Sequence, residues 1–137
     1  MDALFKEQVF EVIKLIPKGR VTSYGAIAKA VGFPNHSRHV GNALRNYEED
    51  FPAHRVCNAL GFITADCLEK FTQKLNEECI SMEGNKIKNF KKIFWNPLEE
   101  IKNVYDFHAK LFASKFPVFF LVSNNFFIVQ SFLNFRF

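Results

Sequence analysis

The sequence predicts a mainly α-helical domain organised as a helix-turn-helix, winged-helix-like, with room for a small β hairpin around Arg55 and Phe62. Three observations predict it. The N-terminal stretch carries apolar residues at helical spacing, two short helical segments flank a turn containing Gly32 and Pro34, and a later polar stretch places Phe71 and Leu75 four apart.

The first helix is expected from about Asp2 to Ile16, because Phe5, Val9, Val12, Ile13 and Ile16 fall on one face; Pro17-Lys18-Gly19 ends it. Ser23 can accept hydrogen bonds from the free amides of the next turn, so a second helix is expected over Tyr24 to Ala30, ended by Gly32 and Pro34. Asn35 is the expected cap of a third helix, from about His36 to Tyr47. It would turn Val40, Ala43, Leu44 and Tyr47 inward and Arg38, Asn42 and Arg45 outward. A fourth amphipathic helix is expected from Glu69 to Glu78.

The chain has 137 residues, 48% of them apolar and 23% charged, which suits one soluble core. A formal net charge of +4 is compatible with a polyanionic partner without requiring one. Cys57, Cys67 and Cys79 form no CxxC pair and leave an odd thiol, so neither a disulfide framework nor a metal site is expected, and a reducing compartment fits. Charged residues interrupt the N-terminal apolar positions, unlike a secretion signal. Residues 1–97 are read as the domain and 98–137 as an extension of unknown role. Ten of the eighteen phenylalanines lie between Phe107 and Phe137, yet Ser123-Asn124-Asn125 and Gln130-Ser131 break the apolar runs, so no membrane span is expected there. The plain reading of it is a packing appendage or a strand-prone tail, with a sequence artefact beyond the true domain as a further reading.

Three stretches carry a resemblance. Val21-Thr22-Ser23-Tyr24-Gly25-Ala26-Ile27-Ala28, Ser37-Arg38-His39-Val40-Gly41-Asn42-Ala43-Leu44-Arg45 and Phe51-Pro52-Ala53-His54-Arg55-Val56 occur in that order. Together they resemble the C-terminal, DNA-binding domain of the O6-alkylguanine-DNA alkyltransferases (methylated-DNA-protein-cysteine methyltransferases) over roughly Leu4 to Pro97. The family motif reads Pro-Cys-His-Arg-Val, and its cysteine takes the alkyl group from a flipped guanine. Here that place is held by Ala53, as in the alkyltransferase-like branch that binds alkylated DNA without repairing it.

The resemblance implies no catalytic residue and no cofactor, with Ala53, His54 and Glu78 left as a vestige of the reactive centre. Glu78 matches the carboxylate that orients the histidine; Glu77 is its neighbour and alternative. It implies a lesion pocket of Pro52, Ala53, His54 and Arg55, made roomier by the missing thiol. It implies DNA binding through Tyr24, Ser37, Arg38, His39, Gly41, Asn42 and Arg45. In this scheme Arg38 enters the duplex in place of the extruded nucleotide, Tyr24 presses on the phosphate, and small Ser37 and Gly41 let the helix into the minor groove. His39 is larger than the family residue there and is expected at a phosphate or sugar. Lys18, Arg20, Lys29 and Arg45 are expected at phosphates.

The expected partner is double-stranded DNA containing O6-alkylguanine, followed by nucleotide excision repair proteins, with no small-molecule substrate. The expected compartment is intracellular, nuclear in a eukaryote and otherwise cytoplasmic. Phe62-Ile63-Thr64-Ala65-Asp66 lacks the Gly- and Ser-rich loop that covers the base in active members. Two rivals stay open at this point: an active alkyltransferase using Cys57, Cys67 or Cys79, and a helix-turn-helix regulator reading sequence in the major groove.

Overall fold

The computed structural model describes residues 3–47 and 50–101. The chain falls into two units, Met1–Leu98 and Glu99–Phe137, and the first carries everything that follows. The Phe-rich segment from Phe107 onward lies outside the described residues. Among those described, no helix is long and apolar enough to cross a membrane.

Helix α1, Ala3–Lys14, buries Phe5, Val9, Val12 and Ile13. It stops two residues short of the expected Ile16. The amides of Leu15 and Ile16 turn to the carbonyls of Val12 and Ile13, three residues back, and tighten the last turn ahead of Pro17. Strand β1, Thr22–Ser23, leads directly into α2, Tyr24–Ala30, where the Ser23 hydroxyl accepts from the Ala26 amide at 3.1 Å. The end of α2 is a Schellman motif: Gly32 N–H bonds Lys29 O and Phe33 N–H bonds Ala28 O, with Gly32 at φ +90°.

Helix α3 runs Ser37–Arg45, shorter than expected at both ends. Its N-cap position is His36 rather than Asn35, with no side-chain cap bond. Tyr47 has left the helix and packs its ring between those of Phe10 and Phe51. Helix α3 packs on α1 and α2, with Val40 and Ala43 buried on α3 and Ile27 and Ala28 buried on α2. Each fully buried Val or Ile contributes about 1.5–3 kcal/mol, so these contacts hold the helix pair as one body.

A 3₁₀ turn, Ala53–Arg55, precedes β2, Val56–Cys57. Here the structure departs from the sequence expectation. Val56 and Cys57 do not fold back on Phe62; they pair in parallel with β1, Thr22 opposite Val56 and Ser23 opposite Cys57. Residues 58–62 form a tight turn instead, closed by Asn58 N–H to Phe62 O at 3.0 Å. The Asn58 side-chain oxygen accepts from the Leu60 and Phe62 amides. The hairpin lies later, between β3, Met82–Glu83, and β4, Lys86–Ile87, and its β4 edge bridges Phe62.

Helix α4, Leu68–Glu77, begins and ends one residue before its expected limits, leaving Glu78 at the C-cap. The short α5, Phe90–Ile93, is fixed to the sheet edge by Val21 N–H to Ile93 O and Trp95 N–H to Val21 O. A second apolar cluster of Val21, Cys57, Ile63, Leu75, Ile80 and Ile87 joins these pieces.

Candidate nucleic-acid interface

The solvent side of α3 presents Ser37, Arg38, His39, Asn42 and Arg45, all exposed. Neither Arg38 nor Arg45 has an ion pair among the described residues. Gly41 is half-buried beneath Tyr24: a Cβ there would meet the Tyr24 ring at 4.0 Å. The Tyr24 hydroxyl stands 3.5 Å from Thr64 Oγ1, which ties the start of α2 to the chain beyond Gly61. His39 packs on other rings, 4.7 Å from His36 and edge-on to Phe5 at 6.4 Å. Lys18 and Lys29 are exposed. Arg20 is not free in this way, because Nε donates to Ile93 O at 3.0 Å and Nη2 to Phe94 O at 2.7 Å.

Pro52 leads into the 3₁₀ turn that leaves Ala53 half-buried and its neighbour His54 buried. His54 Nε2 lies 2.8 Å from Glu78 Oε1. The Arg55 guanidinium grips the same carboxylate through Nε, 3.0 Å from both oxygens, and Nη2, 2.6 Å from Oε1, while Nη1 donates to Ile16 O at 2.7 Å. Gly19 N–H adds a bond of 3.1 Å to Oε2. Glu77 is exposed and among the described residues takes one long bond, from Gln73, so Glu78 is the carboxylate that meets the histidine.

Burial pushes the Glu78 carboxyl up, but its hydrogen bonds from Arg55, His54 and Gly19 outweigh that and hold it at about 2. It is therefore ionised at neutral pH. Burial pulls the His54 pKa below its ordinary 6.5, against the upward pull of Glu78, so its neutral form dominates. A neutral ring beside an ionised carboxylate puts the proton on Nε2, an assignment from the network. The buried Nδ1 then carries a lone pair and has no hydrogen-bond partner among the described residues.

The site holds an oriented histidine with no adjacent nucleophile, since Ala53 is the residue beside it. Cys57 does not replace one: its thiol is buried, donates to Thr22 O at 3.3 Å, and burial pushes its pKa to about 12, so it stays protonated. Cys67 and Cys79 are exposed at opposite ends of α4. No group of three or more metal-ligating side chains occurs among the described residues. Sequence reasoning did not find Gly19 as a partner of Glu78, because an amide donor leaves no residue-type signal. It also passed over Thr64, which lies in a segment read only for the glycines it lacks.

The sequence pattern of the 6-O-methylguanine DNA methyltransferase, DNA binding domain, matches residues 4–85. The DNA base-flipping protein of Vibrio parahaemolyticus is 44% identical over 98 residues, covering 68% of this chain and 97% of that one. Alkyltransferase-like protein 1 of Schizosaccharomyces pombe is 31% identical over 103 residues, covering 68% and 95%. The crystal structure of S. pombe Atl1 in complex with damaged DNA containing O6-carboxymethylguanine superposes with a TM-score of 0.64 at 30% identity, covering 69% of this chain and 97% of that one. The Mycobacterium tuberculosis O6-methylguanine methyltransferase gives 0.52 at 30% identity, covering 57% and 50%. On the family pattern and these relatives together, the chain belongs to the 6-O-methylguanine DNA methyltransferase family, by its DNA-binding domain.

Proposed function

We propose that this chain recognises O6-alkylguanine in duplex DNA, turns the damaged nucleotide out of the stack and holds it without removing the alkyl group. One observation carries the reading: the His54–Glu78 pair stands assembled at 2.8 Å behind a residue, Ala53, whose methyl side chain has no lone pair to displace an alkyl carbon. The pocket is formed by Pro52, Ala53 and His54. Arg55, expected in the pocket, is instead committed to the Glu78 carboxylate and the Ile16 carbonyl.

Extruding a base costs a few kcal/mol, which the protein must offset where the base has left. Arg38 fills that gap from α3; its planar, permanently charged guanidinium can stack and donate together, which lysine cannot. Tyr24 presses on the phosphate while small Ser37 and Gly41 allow close approach. His39, Asn42 and Arg45 contact the backbone and position the chain without reading sequence. Such a complex acts inside the cell, in the compartment that holds DNA, as a mark for nucleotide excision repair.

The test is binding to matched duplexes carrying guanine or O6-methylguanine at one position, followed by mass analysis of protein and DNA. Tighter binding to the lesion with both masses unchanged supports the reading. Equal binding, or a protein heavier by the alkyl group, overturns it.

A further inference from the structure

Lys86, Lys88, Lys91 and Lys92 fall within seven residues of β4, the next turn and α5; no acidic residue interrupts the run, and Glu83 stands opposite Lys86 across the hairpin without an ion pair. All four are exposed and none has an ion pair among the described residues. The formal net charge is +4, so these four lysines equal the whole basic excess of the chain (4 − 4 = 0 without them).

Their scaffold is well braced. Lys86 stands in an antiparallel bridge with Phe62, its Nζ 5.5 Å from the ring centroid, and Lys88 N–H bonds Ser81 O at 2.9 Å. Asn89, at φ 56°, turns the chain into α5, and Phe90 packs so closely on Gly61 that a Cβ there would meet its ring at 2.9 Å. The stretch after the Lys86–Phe62 bridge reaches α2: two residues beyond Phe62, Thr64 meets Tyr24. The lysine fringe and Tyr24 therefore hang on the two ends of one short segment, Phe62–Thr64.

Lysine is depleted at protein–protein interfaces, which favour apolar and aromatic anchors, whereas a compact ammonium suits a phosphate oxygen. Lysines without interleaved carboxylates thus fit a nucleic-acid backbone better than an acidic protein. We propose that Lys86, Lys88, Lys91 and Lys92 make a second, sequence-independent contact to the phosphates of the duplex held by α3, outside the helix-turn-helix. The inference rests on the proposed function only for the identity of that duplex.

The test uses the full chain and the triple variant Lys88→Gln, Lys91→Gln, Lys92→Gln, leaving Lys86 on Phe62. Affinity for a long duplex, intact or carrying O6-methylguanine, is measured across a salt series. The slope of log K against log salt is expected to fall by about 2.7, since each phosphate no longer neutralised lowers it by about 0.9. The ratio between damaged and intact duplex should not change, and the matching triple arginine variant should keep the wild-type slope. An unchanged slope in the glutamine variant overturns the proposal. Should that variant unfold on heating earlier than wild type, Lys91→Gln alone must lower the slope by about 0.9, and a flat result there overturns it equally. A falling slope in a chain that shows no lesion preference would sink the proposed function while leaving this contact standing.

Discussion

Arg55 holds Glu78 by both carboxylate oxygens, Nε lying 3.0 Å from each, and the backbone amide of Gly19 completes the grip from 59 residues away. The helix end that carries Glu78, the turn that carries His54 and the chain after α1 are thereby joined at one buried charge. Removing that charge leaves Arg55 with an unpaired guanidinium. Glu78→Gln is expected to destabilise the fold by about 3 kcal/mol, read from urea denaturation. Glu77→Gln, on an exposed residue, should change it by less than about 0.5 kcal/mol.

Acid should destabilise the chain through two groups in turn. The His54 pKa is lower folded than unfolded, so its contribution is complete above the ordinary 6.5 and is lost as pH falls from there through the lower folded value. The Glu78 pKa is also lower folded than unfolded, so its contribution is complete above the ordinary 4.5 and is lost toward about 2. With the Glu78 side chain only 7% exposed, that second loss is on the order of 3 kcal/mol. Urea midpoints that stay level as pH drops from neutrality to below 4.5 would contradict both assignments.

Cys79 occupies the left-handed position after α4, at φ 64°, where Ile80 N–H returns to Leu75 O and Cys79 N–H to Asn76 O. That conformation favours glycine, which has no Cβ to clash. Cys79→Gly should stabilise the chain by about 1 kcal/mol and Cys79→Ala should not, measured by thermal unfolding.

Arg38 and Arg45 are both exposed on α3 and differ in what they are expected to do. Arg38→Ala should erode the preference for O6-methylguanine over guanine. Arg45→Ala should weaken both complexes alike and lower the salt slope by about 0.9. Equal weakening on damaged and intact duplex with Arg38→Ala would favour an ordinary helix-turn-helix binder.

In the proposed lesion pocket, Ala53 contributes only a methyl group. Ala53→Trp should reduce affinity for bulky O6 adducts more than for O6-methylguanine, in competition binding with both lesions. Unchanged relative affinities would place the adduct away from Ala53.

The helices were legible because their signals are local. The spacing of Phe5, Val9, Val12 and Ile13 and the Ser23 cap reappear in α1 and α2. The sheet was not legible, since β1 and β2 are two residues each and pair across 34 positions of sequence. No alternation can announce a strand that short. At the site, the His54 motif was readable from residue types, but the choice of Glu78 over Glu77 depended on which residue stood at the end of α4. The lysines between Lys86 and Lys92 were passed over because neither β4 nor α5 has a signal of its own in the sequence.

The methyl group of Ala53 also changes the protein's arithmetic. An alkyl acceptor is spent by the first lesion it repairs, so its capacity equals its copy number. Under the proposed function, a pocket floored by a methyl group forms reversible complexes, and the same molecule is free to serve again after release. For such a chain, the lifetime of the complex, rather than the number of molecules in the cell, sets how long a damaged base stays marked.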